Sequence, residues 1–341
     1  MENRLFKTLK GQNYEIPALW MMRQAGRYLP EYRQVREQAG SFWELCFTPE
    51  LACEVTLQPL RRFDYDAAII FSDILVIPKA LGQEVEFAPN HGPLLGELEL
   101  SSILEFSNWS SFNQCLAPVY EAIASTKTQL AITKDLIGFA GAPWTIATYM
   151  IDGGKGHEFS LSRQALASVE NLIPLLDSLT QAIARHLINQ IKAGVTVVQI
   201  FDSWAAVVPT QLREQILFNP LRKIITTIRR SMGDIPIIYF GRGVSDSYGE
   251  LIKDDLKIAL GVDQHANLSE LDKIIPKDIP LQGNLDPDLL VQGGNELDQA
   301  VRKILKIARN RPFVFNLGHG ILPQTPISHV ERVCDLVRHT K

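Results

Sequence analysis

The chain has 341 residues, and its 34 lysines and arginines against 38 aspartates and glutamates give a formal net charge of −4. This acidic balance argues against a nucleic-acid-binding protein, because such proteins present a basic surface to the phosphates. Hydrophobic residues make up 46% of the chain and charged residues 21%, so wholesale disorder is excluded and one large buried core is expected.

Eight short apolar runs, each followed by a polar or glycine-rich turn, predict eight strands. They lie at residues 18–21, 67–71, 136–139, 195–201, 236–240, 258–262, 279–281 and 313–315. Helix patterns separate the runs. Leucine and isoleucine recur every three or four positions between 172 and 191, and Gly194 follows as a C-terminal cap. A capping side chain ahead of a proline predicts helix starts at 48–49, 219–220 and 325–326.

The alternation of strand and helix predicts an α/β fold, a single (β/α)8 TIM barrel that spans residues 1–341 as one domain. Such barrels need about 250 residues, so the surplus must form insertions. A Glu-Val-Glu-Phe run and a Pro-Asn-His-Gly-Pro turn within 82–113 predict an extra hairpin or arm after the second strand. We therefore expect extra loops and helices at the C-terminal face of the strands. An open, doubly wound sheet is the alternative fold.

The cysteines and the apolar stretches indicate the compartment. Cys46, Cys53, Cys115 and Cys334 form no Cys-x-x-Cys pair, which is typical of a reduced, cytoplasmic protein without a disulfide framework. The first ten residues carry charges where an export signal needs an apolar stretch, and the longest uncharged run, 136–151, contains glycine and proline. We therefore expect no membrane association.

The turn after the first predicted strand carries two arginines, Arg23 and Arg27, with Gly26 between them. Four residues apart on a helical turn, the two guanidinium groups would share one face and clamp carboxylates. Gly26 would let the backbone approach a ligand closely. The alternative is a solvated arginine face bridged to Glu31.

Two further strand ends carry candidate binding groups. Asp73 ends an apolar run, where an unpaired carboxylate is costly to bury, so it needs a cation or a hydrogen-bond donor; the alternative is a helix cap formed by Ser72 or Asp73. His319 lies between two glycines, which favours contact with a ligand, and the alternative is the structural role that an isolated histidine more often has; His186 lies in a helical pattern.

The sequence contains no His-Glu-x-x-His zinc motif, no Walker motif and no complete dinucleotide fingerprint, because the Gly241-Arg242-Gly243 turn lacks the third glycine. Asp263 and His265 could ligate a metal as a pair, but hydrogen-bonded polar groups are the alternative. The residues therefore predict no metal site and no cofactor.

Three long segments resemble signatures of the uroporphyrinogen decarboxylase family. They are Trp-Met-Met-Arg-Gln-Ala-Gly-Arg-Tyr-Leu-Pro-Glu-Tyr at 20–32, the segment 138–152, and Phe-Asn-Leu-Gly-His-Gly-Ile at 315–321. The resemblance implies a single (β/α)8 barrel, a homodimer and decarboxylation of uroporphyrinogen III without a cofactor. Position by position, it implies that the tetrapyrrole is contacted by Arg23, Gln24, Ala25, Gly26, Arg27, Asp73, Tyr149, Ser203 and His319.

The sequence departs from the family pattern at two places. Gln264 follows Asp263 where relatives are expected to carry tryptophan, and Ser328-His329 replaces the usual Pro-Glu after Thr325-Pro326. Neither departure touches the implied site residues. Both affect local packing, after the sixth strand and at the start of the last helix.

The implied reaction needs an electron sink, and the sequence offers no recognisable site for pyridoxal phosphate, thiamine or a metal. A pyrrole protonated on a ring carbon can take electrons from an adjacent acetate, whereas a propionate is one carbon too far. Asp73 would accept hydrogen bonds from the pyrrole N–H groups and stabilise the developing positive charge. Arg23 and Arg27 would hold carboxylates, while the residues leave the proton donor open.

Two other functions remain open at this point. One is a zinc-dependent corrinoid or thiol methyltransferase of the same superfamily, although none of the four cysteines has a histidine two residues before it. The other is a tetrapyrrole carrier that binds without reacting.

Overall fold

The computed structural model describes residues 3–88, 92–154 and 159–339. Its strands are β1 Ala18–Leu19, β2 Ala67–Ile69, β3 Val85–Ala88, β4 Gly92–Leu95, β5 Asp135–Gly141, β6 Val197–Asp202, β7 Ile237–Gly241, β8 Ala259–Gly261, β9 Leu281–Leu285 and β10 Phe313–Leu317. Eight of them form one parallel sheet in the order β1-β10-β9-β8-β7-β6-β5-β2, and the other two, β3 and β4, form an antiparallel hairpin.

The two ends of the sheet, β1 and β2, meet through the residues around Asp66. The Asp66 N–H donates to the Leu19 carbonyl at 2.7 Å, and the Asp66 carboxylate accepts the Leu19 N–H at 2.7 Å. The Gln24 side-chain amide donates to the Ala67 carbonyl at 3.1 Å, one residue further along the same seam. The sheet is thereby nearly closed into a barrel with surrounding helices, so the (β/α)8 prediction is confirmed and the open sheet is wrong.

Helices surround the barrel, and no helix in the described ranges is long and apolar enough to cross a membrane. The helices are α1 Arg4–Leu9, α2 Pro30–Gln38, α3 Phe42–Phe47, α4 Pro49–Arg62, α5 Val76–Ala80, α6 Leu100–Leu104, α7 Trp109–Gln129, α8 Pro143–Asp152, α9 Ser160–Ala165, α10 Val169–Ala193, α11 Asn219–Met232, α12 Tyr248–Leu251, α13 Leu268–Ile274, α14 Pro287–Gln292, α15 Gly294–Ala308 and α16 Ile327–His339.

Two predicted helix boundaries are confirmed, at Gly194 and Pro49, whereas the capping side chains predicted at Thr48 and Asn219 are not. Gly194 ends α10 with φ +124, as expected. Pro49 begins α4, but the Thr48 side chain forms no capping hydrogen bond. Asn219 does not cap α11 either, because a π-helical turn over residues 214–218 runs directly into that helix.

The predicted insertion after the second barrel strand is present. Strands β3 and β4 pair as a hairpin, although the turn at 89–91 lies outside the described residues. The Leu95 N–H donates to the Gly153 carbonyl at 3.0 Å, and the Gln83 amide donates to the Met150 carbonyl at 3.2 Å. These bonds hold the hairpin against the end of α8. The hairpin, α5 and α6 thus fill the space between the carboxyl end of β2 and helix α7, which leads back to β5.

The barrel interior is apolar around a short chain of buried polar groups. Trp20 and Phe240 are among its fully buried side chains, and Leu5 of α1 covers the amino-terminal end of the strands. The Trp20 indole N–H donates to Gln282 at 2.9 Å, and the Gln282 amide donates to Gln199 at 3.0 Å. The Trp20 indole and the Gln282 amide therefore each have an acceptor, which avoids the cost of an unsatisfied polar group.

Gly138 in the middle of β5 provides a test of how tightly α10 packs on the barrel. The Gln190 amide accepts the Phe139 N–H at 2.9 Å and donates to the Phe139 carbonyl at 2.7 Å. A Cβ at Gly138 would lie 2.4 Å from Gln190 Oε1 and break this pair. We expect Gly138→Ala to lower the free energy of unfolding by about 2–3 kcal/mol in urea denaturation.

The control for this substitution is Gly249→Ala in α12. No atom lies within 4 Å of a Cβ built at Gly249, so alanine is expected to leave stability unchanged or to raise it slightly. Equal stability of the two variants would contradict the packing described for Gly138.

Candidate active site

The predicted site residues all lie at the carboxyl ends of barrel strands. Arg23 follows β1, Asp73 follows β2, and Tyr149 lies on α8 after β5. Ser203 follows β6 and His319 follows β10. Arg23 is exposed and the other four are half-buried. In a TIM barrel this end of the strands is where active sites form.

The structure overturns the expected helical turn between Arg23 and Arg27. Arg23 has φ +61, a left-handed conformation, and residues 22–29 form turns and bends. The Arg23 side chain packs over Gly320, where a Cβ would lie 2.3 Å from the arginine Cδ. Strands β1 and β10 are neighbours in the sheet, and the loops that follow them meet where Gly320 leaves room for Arg23.

Arg27 lies in a different environment from Arg23. Burial raises the pKa of Tyr32 to about 12, and the charge of Arg27 acts in the opposite direction. The Arg27 carbonyl accepts a hydrogen bond from Arg33 at 2.7 Å. Glu31 pairs instead with Arg62, whose Nη2 lies 3.0 Å from a Glu31 carboxylate oxygen. The bridge to Glu31 in the alternative is therefore wrong, whereas both arginines are exposed, as that alternative expects.

Asp73 is the carboxylate at the centre of the candidate site. One carboxylate oxygen accepts the Leu75 N–H at 2.8 Å in the turn before α5. This bond is not a helix cap, because Leu75 occupies the N-cap position of α5 and no side chain caps that helix, so the capping alternative considered from the sequence is wrong. Burial raises the pKa of Asp73 to about 6, while the Leu75 N–H and the charge of Arg23 act in the opposite direction. The second oxygen has no hydrogen-bond donor within the described residues.

Arg23 links Asp73 with two other predicted site residues. Burial is the main cause that raises the pKa of the Tyr149 hydroxyl. Asp73 raises this pKa further, and the charge of Arg23 acts in the opposite direction. Burial also lowers the pKa of His319 to about 4, and the charge of Arg23 acts in the same direction. The imidazole is therefore neutral at pH 7. Arg23, Asp73, Tyr149 and His319 form one electrostatically coupled cluster, which we call the Arg23 cluster.

Ser203 lies in a turn that buried polar groups hold in place. Thr145 donates to the Asp202 carboxylate at 2.6 Å and accepts the Trp204 N–H at 3.1 Å, so both neighbours of Ser203 are fixed. Tyr239 donates to the other Asp202 oxygen at 3.1 Å. Burial raises the pKa of Asp202 to about 6.

Gln24, Ala25 and Gly26 continue the loop after Arg23. The Gln24 side chain is fully buried, and its amide oxygen accepts the Met21 N–H at 3.2 Å, so the side chain is used within the protein. The N–H groups of Ala25 and Gly26 have no acceptor among the described residues. These two groups are free to donate to an anion.

The suspected metal pair, Asp263 and His265, is explained by hydrogen bonds. The Asp263 carboxylate accepts the Gly243 N–H at 2.8 Å and the His265 N–H at 2.9 Å. Within residues 3–88, 92–154 and 159–339, no group of three or more potential ligands could hold a metal ion.

Of the two departures from the family pattern, His329 fits the local packing, whereas the amide oxygen of Gln264 is buried without a hydrogen-bond partner within the described residues. The backbone of Gln264 lies against Gly318, where a Cβ would be 2.1 Å from the Gln264 nitrogen. The His329 ring packs on Gly293, and its Nδ1 lies 3.0 Å from the Leu290 carbonyl oxygen. His329 thus joins α16 to the end of α14.

A family model described as uroporphyrinogen decarboxylase (URO-D) matches residues 1–340. The uroporphyrinogen decarboxylase of Rhodospirillum rubrum is 43% identical over 333 residues, which cover 97% of this chain and 96% of the relative. That of a Chelativorans species is 44% identical over 338 residues, covering 99% and 98%. A solved methyltransferase from Methanosarcina mazei has a TM-score of 0.80 over 99% of this chain and 98% of its own, at 17% identity. At that identity it shows the fold alone.

Proposed function

The chain belongs to the uroporphyrinogen decarboxylase family, and we propose that the Arg23 cluster is where it removes carboxyl groups from uroporphyrinogen III. The protein is a carboxy-lyase, a uroporphyrinogen decarboxylase. The observation that supports the site is that Arg23, Asp73 and His319 follow the carboxyl ends of neighbouring strands, where Arg23 packs on Gly320.

The reaction replaces four acetate side chains by methyl groups and gives coproporphyrinogen III and four CO2. In each step a proton adds to a pyrrole ring carbon, and the bond between the acetate methylene and its carboxylate then breaks. The electron pair flows into the cationic ring as CO2 leaves. The methylene takes up a proton and the ring loses one, so each step consumes one proton overall. No cofactor is required, because the protonated pyrrole itself is the electron sink.

Asp73 would stabilise the cationic ring. Its second carboxylate oxygen is available to accept hydrogen bonds from the pyrrole N–H groups, while the Leu75 N–H fixes the first. A negative charge that is already in place needs no reorganisation when the ring becomes positive. Because burial surrounds the carboxylate with protein instead of water, its attraction for the ring is stronger than at an exposed site.

The carboxylates of the substrate need donors around the ring. Arg23 would hold one of them with charge-assisted hydrogen bonds, and the N–H groups of Ala25 and Gly26 could bind another. Tyr149, Ser203 and the neutral His319 would donate single hydrogen bonds. Arg27 is exposed and lies near Tyr32, so it would contact a carboxylate at the rim. Gln24 would hold the loop in position.

The activity is tested by anaerobic incubation of metal-stripped protein with chemically reduced uroporphyrinogen III. The products are oxidised and separated by the number of carboxylates. We expect a series from eight carboxylates down to four, with the acetates lost and the propionates kept. Bound but unchanged substrate would instead indicate a tetrapyrrole carrier.

The same experiment separates the decarboxylase from the zinc-dependent methyltransferase, the alternative that the comparisons do not favour. Zinc activation of a thiol requires clustered cysteine and histidine ligands, and the described part of the chain contains no such cluster. Activity that disappears with the metal and returns with one equivalent of zinc would contradict the cofactor-free reaction.

The charge of Asp73 predicts how turnover depends on pH. A carboxylate with a raised pKa of about 6 is ionised above that pH and protonated below it. Because the ionised form is needed, kcat/KM is expected to fall about tenfold per unit as the pH decreases below 6. In Asp73→Asn this limb is expected to be absent from the residual activity. Full activity at pH 5 would contradict the role of the ionised carboxylate.

The organisation of the chain and its setting in the cell are also proposals, the homodimer from the family resemblance and the rest from the sequence. We propose that the chain forms one domain, that it works as a homodimer, and that it acts in the cytoplasm on uroporphyrinogen III without nucleic-acid or membrane partners. The four free cysteines among the described residues are in keeping with a reducing compartment. Sedimentation equilibrium distinguishes the dimer from a single chain.

A further inference from the structure

Arg242 is a cation at the mouth of the barrel to which the family resemblance assigns no role. It follows β7 in the turn Gly241-Arg242-Gly243 and is half-buried. Its N–H donates to the Asp202 carbonyl at 3.1 Å, directly before Ser203. The next N–H, that of Gly243, donates to Asp263 at 2.8 Å. The backbone on either side of the Arg242 side chain is therefore fixed to two neighbouring strand ends.

The turn also requires its glycine. Gly243 has φ +73, and a Cβ at this position would lie 2.7 Å from the Cβ of Ala206. Such a conformation disfavours any other residue, so the turn presents Arg242 in one defined place. The fixed backbone limits the entropy that the arginine loses when it binds a ligand.

The guanidinium of Arg242 has no protein anion to neutralise it. Within the described ranges it forms no ion pair and no side-chain hydrogen bond, whereas nearby Arg213 binds Asp246 at 2.7 Å. The Asp263 carboxylate, which binds the turn through the neighbouring Gly243 N–H, also accepts the His265 N–H. Partial burial of an unpaired cation is costly, and a bound anion would offset that cost.

Arg242 lies close enough to His319 to act on it. Its charge, like that of Arg23, lowers the pKa of His319, and Asp263 acts in the opposite direction. Two arginines, one after β1 and one after β7, therefore act on His319, and neither forms an ion pair with another described residue. A substrate with eight carboxylates in contact with His319 would place one of them within reach of each arginine.

We propose that Arg242 is a substrate-binding residue that holds a side-chain carboxylate of the tetrapyrrole, next to the group contacted by His319. This inference rests on the proposed function. It adds a further cation to those in the loop after β1. This cation follows β7, across the barrel from β1. An acetate and a propionate offer the same carboxylate chemistry, and the test below distinguishes them.

The test compares Arg242→Gln, Arg242→Lys and, as a matched control, Arg230→Gln, which removes an exposed arginine from α11. We measure KM and kcat for uroporphyrinogen III, and the binding of oxidised uroporphyrin and coproporphyrin by fluorescence. Arg242→Gln is expected to raise KM about 10- to 100-fold, as loss of one charge-assisted hydrogen bond implies, with a smaller change in kcat. Arg242→Lys should restore much of the affinity, and Arg230→Gln should match the wild type.

The two porphyrins identify the carboxylate. If Arg242→Gln weakens both equally, Arg242 holds a propionate, because only propionates remain in coproporphyrin. If it weakens uroporphyrin alone, Arg242 holds an acetate. An unchanged KM together with unchanged binding of both porphyrins would overturn the proposal. The wild-type decarboxylation series in the same experiment shows that such a result leaves the main function intact.

A structural role would give a different result. NMR titration of His319 is expected to show a higher pKa in Arg242→Gln than in the wild type, since a nearby positive charge is lost. Loss of affinity in both variants, with a lowered melting temperature and no change at His319, would mean that Arg242 only supports the turn, and would overturn the proposal.

Discussion

Asp73→Asn is expected to lower kcat about 100- to 1,000-fold while the affinity for oxidised uroporphyrin changes little. Asparagine keeps the shape of the side chain, and its amide oxygen can still accept the Leu75 N–H that Asp73 accepts at 2.8 Å. What is lost is the negative charge beside the pyrrole nitrogens. Since that charge interacts most strongly with the cationic ring, its loss raises the barrier to reaction more than it weakens binding.

Asp286→Asn is the matched control for this substitution. Asp286 follows β9 and accepts the N–H two residues on, that of Asp288, at 2.9 Å, as Asp73 does with Leu75. We expect this variant to keep the wild-type kcat. Wild-type turnover in Asp73→Asn would show that the carboxylate has no electrostatic role. Equal losses in the two variants would point to the turns.

Arg23→Gln is expected to lower kcat/KM about 100-fold or more, because it removes a carboxylate clamp and the cation that acts on Asp73. The effect on binding should exceed that of Arg27→Gln. With Arg23 neutral, the pKa values of Asp73 and His319 both rise, since a positive charge disfavours protonation of either group. The acid limb of the pH profile should therefore move to higher pH.

A second substitution, Gly320→Ala, moves Arg23 without removing it. The new methyl group would lie 2.3 Å from Cδ of Arg23, which is a flexible side chain, so the arginine is expected to shift while the fold stays intact. Gly320→Ala should raise KM in the wild type but add little to Arg23→Gln, a non-additivity that shows that both act on one group. Fully additive effects would contradict the contact between Arg23 and Gly320.

The fold could be predicted from the sequence because buried parallel strands are continuous apolar runs. The predicted bounds of the seventh strand are wrong. The apolar run predicts a strand at 279–281, whereas β9 spans Leu281–Leu285. Its polar residues Gln282 and Asn284 are buried with partners elsewhere in the barrel, Gln199 on β6 and the Asp263 carbonyl after β8. Those partners are distant in sequence, so local polarity was misleading.

The sequence predicts where the site lies but not the conformation and contacts of its residues. Strand-end position identified Arg23, Asp73 and His319, but no pattern indicated that Arg23 adopts φ +61 instead of a helical turn. That conformation depends on room left by Gly320, nearly 300 residues away. The Gly241-Arg242-Gly243 turn is recognisable in the sequence as one of the strand ends, but no pattern there assigns Arg242 a role. The absence of an ion partner, which marks it out, is a property of the folded chain.

The sheet order has a consequence for how the chain is made. Strand β1 pairs along its length with β10, near the other end of the chain, and its backbone also bonds with Asp66 at the seam. A ribosome adding about 5–20 residues per second takes roughly 15–60 s to deliver β10 after β1. During that time Trp20 and its neighbours lack their cover, so the nascent chain exposes apolar surface that a chaperone would recognise. Synthesis rate, and not only the stability of the finished barrel, should therefore influence the yield of folded enzyme.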